Sequence, residues 1–472
     1  TTAPVGGTSP AGSPRIAPPS GKESIQLAET KTEVPVLATP GVYVPKENVV
    51  EIELSEYSGY AGLIVANGGL APTENSIFFK KHGFKVKIAI SEEESWSALN
   101  SGKLAASATT ADVLAVYGKQ FQVVVPAQIG FSRGADGVVV SKSIRKINAL
   151  KGKILVTSQF TEADFFIRYL AQEAGLAVNA LPDLATAADP QKINLVYGAD
   201  AFTAGDAYLS DLKSGHPRLA GCVTWDPKTT EVVKESGGAA HLLTTNKNLL
   251  IIVDVLVVNK GFAQQNAEKV AGLVNGLLEG NQMVRDNPDA HLDVVAKAFK
   301  WDRQKTKSEL GKVHLSNLPE NLAFFSGAID AAGSFGSIYQ SAVFAYASGL
   351  IKDPVDSDRF VDLKHLKTLE QAGAFKDQKI SIAPIRSGGT TVEGDPLLSK
   401  DIRFLFSPNS ANLEVGNAEN MKNLEAVKKL LQVSPGSTIL LRGHVDNALV
   451  AEFRKQGGET FVRTMALKSV EL

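Results

Sequence analysis

Short β-branched and aliphatic runs alternate along most of this chain with amphipathic stretches. Strands are expected at 49–54, 85–90, 104–108, 123–127 and 153–156, and helices at 61–67, 96–99, 111–117 and 163–174. Alternation of this kind argues for parallel sheets with helices on both faces. The run 251–258 reads as a long buried strand, although it contains Asp254. Beyond it helices dominate, at 266–278, 291–299, 308–313 and 325–348.

Two regions break this pattern. Residues 1–45 hold eight of the 21 prolines, a composition that favours extended, solvated backbone, so the segment reads as a tether. Its more apolar part, 32–44, is expected to lie against the next domain. Residues 376–400 are polar and rich in Gly, Ser and Pro, and read as a linker. After it come strands expected at 401–406 and 437–442. Between them lies an amphipathic helix at 418–431 with Met421, Leu424, Val427 and Leu431 on one face. No repeat with a period of 20–50 residues is visible.

Composition narrows the function classes. The 472 residues leave room for about three domains. A net charge of −1 gives no basic excess or stripe, which argues against nucleic acid as a partner. The lone cysteine, Cys222, has no intramolecular disulfide partner and reads as a small buried apolar residue. The longest apolar run, 249–258, is half the roughly twenty residues a membrane-spanning helix needs. The chain opens without a charged start and apolar core, so a mature or trimmed form is expected. No phosphate-binding Gly-x-x-x-x-Gly-Lys-Ser/Thr loop and no Gly-x-Ser-x-Gly elbow occurs. The seven histidines are scattered, with none paired at helical spacing. Neither a metal nor a cofactor is expected, and the chain reads as a non-enzyme.

Several segments, in order, carry a family resemblance. They are Ser58-Gly59-Tyr60-Ala61-Gly62-Leu63 after the first strand, Lys81-His82-Gly83-Phe84 before the second, and Gly102-Lys103-Leu104 with Thr109-Thr110-Ala111-Asp112. Ser132-Arg133-Gly134-Ala135-Asp136-Gly137, Leu150-Lys151-Gly152-Lys153, Val223-Thr224-Trp225-Asp226-Pro227 and Val253-Asp254-Val255 follow. Over about 46–375 the chain resembles the periplasmic solute-binding proteins of ABC importers, in the group serving nitrate, sulfonates, taurine and pyrimidine precursors. The resemblance implies the type II two-lobed α/β fold, with lobe 1 at about 46–137 and 259–375, lobe 2 at about 138–258, and crossings near 137–141 and 253–259.

In open α/β sheets ligands sit beyond the carboxyl ends of the strands, where helix N-termini offer free N–H groups. Three hydroxyl- or glycine-bearing helix starts are therefore candidate ligand contacts: Ser58, Gly59 and Tyr60; Thr109 and Thr110; Ser158 and Thr161. Each hydroxyl is equally suited to capping its helix. The charged candidates are Arg133, Asp136, Glu162 and Asp226. Arg133 can fork onto an anion and Asp226 can hold an amine or amide, or either can form an inter-lobe salt bridge. Tyr60 and Trp225 are candidate cleft walls. Together these groups suit a small anion, zwitterion or amide.

The last segment resembles an OmpA-like peptidoglycan-binding domain. The resemblance rests on 402–406, on Asn409-Ser410-Ala411, and on Thr438-Ile439-Leu440-Leu441-Arg442-Gly443-His444-Val445-Asp446-Asn447. It implies that Asp446 meets the free amine of diaminopimelate, a carboxylate matched to an ammonium. Val445 replaces a usual Thr. The family's Leu-Ser-x-x-Arg-Ala segment, whose Arg meets a diaminopimelate carboxylate, has no counterpart before Leu472, so 401–472 reads as an incomplete α+β domain.

The combined expectation is an envelope protein of a diderm bacterium, periplasmic and associated with the cell wall or outer membrane. It would capture a small polar or anionic solute for an ABC importer permease while an OmpA-like module holds it at peptidoglycan. Two other readings stay open at this point. One is a structural or interaction protein whose cleft has lost its solute. The other is an enzyme built on the binding-protein fold.

Overall fold

A computed structural model describes residues 25–91, 95–328, 334–346, 349–351, 354–382, 397–406, 412–433, 439 and 449–471. Two six-stranded mixed sheets organise it. The first contains β1 (Val49–Leu54), β2 (Lys85–Ile90), β3 (Ala106–Thr110), β4 (Val123–Ser132), β11 (Val253–Asn259) and β12 (Val313–Leu315), in the spatial order β12-β4-β11-β3-β1-β2. The second contains β5 (Asp136–Ser141), β6 (Ile154–Ser158), β7 (Val178–Ala180), β8 (Ile193–Gly198), β9 (Gly221–Trp225) and β10 (Ala240–Thr245), in the order β10-β5-β9-β6-β8-β7.

Strands β1, β2 and β3 are parallel, as are β6, β7, β8 and β9. Helices cover both faces of such strands, which is why β3 and β6 are buried throughout. Strand β11 is antiparallel to both its neighbours, β3 and β4, and all seven of its residues are buried. The chain passes between the sheets twice, at 133–135 and at 246–252, so each sheet anchors one lobe.

The helix starts and stops follow local chemistry. The helix Ala61–Asn67 ends at Gly68 in the left-handed conformation, and Ile77–His82 is capped by the Ser76 side chain and ended by Gly83. Two glycines set the contact between Ala61–Asn67 and the long helix Ala267–Asp286. A Cβ on Gly280 would collide with the Gly62 carbonyl oxygen, and one on Gly62 with the Asn281 side chain. Because the obstacle at Gly280 is backbone, Gly280→Ala should destabilise the protein by about 1–3 kcal/mol. Urea unfolding would measure this, and an unchanged midpoint would show that the two helices separate without cost.

The lobes share a hydrophobic core. The helix Phe335–Ala345 packs between Ala111–Tyr117 of the first lobe and Glu162–Glu173 of the second. Val113 and Leu114, Phe165 and Phe166, and Ile338 and Tyr339 belong to one cluster of buried residues. At its edge Arg168 pairs with Asp164 at 2.7 Å, bonds the Tyr197 hydroxyl at 3.0 Å and lies over the Tyr346 ring.

Of the segment expected as a tether, residues 25–45 lie along both lobes. On the second lobe the Ala28 amide bonds the Tyr197 carbonyl, and Lys31 exchanges two hydrogen bonds with the Gln159 side chain. On the first lobe Gln120 bonds Leu37 and Pro35, Asn100 bonds Ala38 and Gly41, and the Tyr43 ring meets Phe262 edge-on. Gly102, at φ +78°, has no Cβ, and a Cβ there would strike the backbone of Val42.

Three expected elements differ. The helix expected at 308–313 lies earlier, at Arg303–Leu310. Its last turn closes at Gly311, and the β-branched Val313 then opens β12 against β4. The single helix expected at 325–348 is two. The first, Leu318–Ser326, stops at Gly327 in the left-handed conformation, and the second starts at the Ser334 cap. The strand expected at 401–406 is not formed. Its described pairing is one bridge between Phe406 and Leu413, and the Asn420 side chain satisfies the Leu405 amide and carbonyl instead.

The helix expected at 418–431 is present as Ala418–Val433, with Met421, Leu424 and Leu431 of its apolar stripe exposed. The strand expected at 437–442, apart from Ile439, lies outside the described residues. No described helix is long and apolar enough to cross a membrane.

Candidate functional site

Between the lobes, at the carboxyl ends of β1 and β3, lies a cavity with about 60 Å³ of space open to water-sized groups. A single water needs roughly 10–15 Å³ of such space, so several waters or a small solute fit. The first lobe supplies Glu53 and Leu54 from β1, Tyr57 and Tyr60 from the turn that follows, and Ser107, Ala108, Thr109 and Thr110 from β3. Ser91 and Trp96 close one side. Asp136 and Trp225 face them from β5 and β9, and Glu162 from the first turn of its helix. Ser132, Ile252 and Asp254 come from the segments where the chain changes lobe.

The electrostatics are acidic. Tyr60 donates its hydroxyl to Asp254 at 3.0 Å, and its ring meets Tyr57 edge-on at 5.2 Å. Ser132 donates to the Asp136 carboxylate, which also accepts from the Asn246 amide at 3.2 Å. Burial is the main force on both acids and disfavours their charged forms. It pushes Asp136 up to about 7, with Asp226 adding repulsion and Ser132 partly offsetting it. It pushes Asp254 well above the carboxylate range, with Asp136 and Asp112 adding to the effect against the Tyr60 hydrogen bond. Asp112, fully buried behind the wall, is raised to about 7 for the same first reason.

Of the candidates from sequence, Tyr60, Thr109, Thr110, Asp136, Glu162 and Trp225 line the cavity. The others sit beside it in structural roles. The Ser58 hydroxyl donates to the Glu309 carbonyl at 2.9 Å, and Gly59 leaves room for the Tyr57 ring. Arg133 is buried, and its amide donates to the Lys312 carbonyl at 2.8 Å. Thr161 donates to the Ser158 carbonyl at 2.9 Å, closing the turn before the helix that presents Glu162.

Asp226 forms the inter-lobe salt bridge, meeting Lys312 at 2.7 Å while it caps the helix Lys228–Glu235 through Thr229 and Thr230. Lys312 also pairs with Glu309 at 2.9 Å. Asp446 lies outside the described residues. Sequence reasoning missed Glu53, Asp254, Asn246 and Lys312 as parts of the site. Only Asp254 carried a signal, as the one charged residue in an apolar run. Among the described residues no group of three or more His, Cys, Asp or Glu side chains is placed to hold a metal.

No protein-family model matches the chain, and no curated protein matches it in sequence. Solved structures do match in fold. The alkanesulfonate-binding protein SsuA from Xanthomonas axonopodis pv. citri, bound to MOPS, is 13% identical, with a TM-score of 0.50 over 68% of this chain and 100% of that one. A periplasmic sulfonate-binding protein of a sulfonate ABC transporter from Methylobacillus flagellatus is 16% identical, with a TM-score of 0.50 over 71% of this chain and 97% of that one. The chain thus has the two-lobed fold of periplasmic solute-binding proteins, at 13–16% identity to these two.

Proposed function

We propose that the protein is a periplasmic binder, not an enzyme, that closes its two lobes over a small solute and hands it to an ABC importer permease. One observation carries the reading: polar side chains of both lobes converge on a small cavity at the carboxyl ends of the strands. The Asp226–Lys312 pair latches the lobes beside it.

Removing the latch tests this. Asp226→Ala should raise the radius of gyration of the solute-free protein in small-angle scattering. It should weaken solute binding roughly tenfold, or about 1.4 kcal/mol. Calorimetry with sulfonates, taurine, nitrate, phosphate, pyrimidines and amines supplies the ligand. If no panel member binds and the lobes keep one separation in both variants, the cleft is a scaffold or docking surface instead.

The C-terminal segment then serves as a holdfast at peptidoglycan, with Asp446 taking the diaminopimelate amine. This rests on the sequence resemblance of 401–472. Pull-down on purified peptidoglycan should retain the protein and lose Asp446→Ala. Equal retention of the two removes Asp446 from the site.

A further inference from the structure

The four charged residues on the cavity wall are Glu53, Asp136, Glu162 and Asp254, all acids, and the described wall carries no Lys, Arg or His. The nearby cation Lys312 is committed to Asp226 and Glu309. A sulfonate or nitrate placed here would find no cationic side chain on the described wall to offset its charge. The same wall holds four aromatic residues, Tyr57, Tyr60, Trp96 and Trp225. Rings joined to carboxylates attract an alkylated nitrogen cation, which packs its carbons on the rings and keeps its charge near the acids.

One further group on the wall has no hydrogen-bond partner among the described residues: the indole N–H of Trp225, at 9% exposure. A buried donor left unmatched costs stability, so its acceptor is to be sought in the ligand.

We propose that the solute is a small organic ammonium compound, tertiary or quaternary at nitrogen, that also carries a hydroxyl or carbonyl oxygen. The ammonium faces the four acids, and the oxygen accepts from Trp225. The assignment rests on the solute-capture reading and narrows it. It also accounts for so many acids on one wall. Burial favours the protonated forms of Asp136, raised to about 7, and of Asp254, raised well above the carboxylate range, and an arriving cation takes the place of those protons. The groups facing Asp136 are Ser132, Asn246 and Asp226, and those facing Asp254 are Tyr57, Tyr60, Asp112 and Asp136.

The experiment is calorimetry and tryptophan fluorescence on the full chain. The probes are choline, tetramethylammonium and ethanolamine, against ethanesulfonate, taurine and nitrate, each in two buffers of different ionisation enthalpy. Choline should saturate with release of protons. Asp254→Asn and Glu162→Gln should each weaken it at least tenfold. Trp225→Phe should weaken choline several-fold while leaving tetramethylammonium, which has no oxygen, within twofold.

Ethanesulfonate or nitrate binding more tightly than every amine would overturn the ammonium assignment and leave solute capture standing. Amine binding that ignores both Glu162→Gln and Asp254→Asn would overturn it as well, because the cation would then sit elsewhere. Saturation by no probe of either charge would overturn both readings.

Discussion

Solute-free protein should be more stable at pH 5 than at pH 7.5, the reverse of the usual acid lability of proteins rich in paired carboxylates. The buried acids set the sign. Burial raises Asp112 and Asp136 to about 7 and lifts Asp254 well above the carboxylate range, whereas in the unfolded chain each titrates near 4. Between those values the folded state holds protons that the unfolded state has lost. Stability is therefore fully present below the unfolded value and falls as pH rises towards the folded one.

A shift of about three units is worth at most about 4 kcal/mol per group, and relaxation and water entry reduce it, so a total loss of a few kcal/mol is expected. Two sets of groups oppose the trend. Glu320 would be raised by burial but is brought down to about 2 by His314 and the amides of Ser381 and Asn317, so its contribution is present above its unfolded value and is lost as pH falls from there towards 2. His82, His241 and His365 are lowered, chiefly by desolvation, and they cost stability as pH falls through their unfolded value. The optimum should accordingly fall near pH 5. Scanning calorimetry from pH 4 to 8 measures the slope, and Asp136→Asn and Asp112→Asn should each flatten it. A midpoint that is level from pH 5 to 8 in the wild type would mean that these carboxyls are charged in the folded protein.

The second large effect is expected at Asn246. Its side chain is fully buried and joins both passages between the lobes. The amide oxygen accepts from the amides of Gly134 at 2.8 Å and Asp136 at 3.2 Å. The amide nitrogen donates to the Ser132 carbonyl at 3.0 Å and the Asp136 carboxylate at 3.2 Å. Asn246→Ala strips partners from two backbone donors, the half-buried Gly134 and the buried Asp136, and from two acceptors at once. At about 1–3 kcal/mol for each group left unmatched, less what an entering water recovers, the loss should be about 3 kcal/mol. For a chain of this size that lowers the melting temperature by on the order of 5 °C. Thermal unfolding followed by circular dichroism reads it directly. A loss below about 1 kcal/mol would show that the two passages hold their shape without this side chain.

How much of this was legible beforehand follows from the range of each interaction. The boundaries of β1, β2 and the helices Ala61–Asn67 and Ala111–Tyr117 were read from local pattern, because propensity, periodicity and a closing glycine all lie within a few residues of one another. The short strand β12 was not, since three residues that become a strand only by lying on β4 leave almost no local trace. The break at Gly327 was passed over because apolar residues continue on both sides of it.

Within the site, Thr109 and Thr110 stand on the cavity wall while Thr161 turns back onto Ser158, a difference of side-chain direction that residue type does not encode. Lys312 meets Asp226 across 86 positions, and Asn246 meets Asp136 across 110. Partnerships at that separation are settled by topology, and one sequence carries no periodicity that reports them.

The strand of chain at 25–45 has a kinetic consequence. It is bonded to Tyr197 and Gln159 on one lobe and to Gln120 and Asn100 on the other, while the helix Phe335–Ala345 is wedged between them. Spreading the lobes therefore means peeling away one of these attachments as well as bending two passages. Separating the lobes is thus an activated event, with a barrier set by several hydrogen bonds and a patch of buried apolar surface. On the capture reading proposed above, the length of a solute's stay is set by this clasp as much as by the cavity wall.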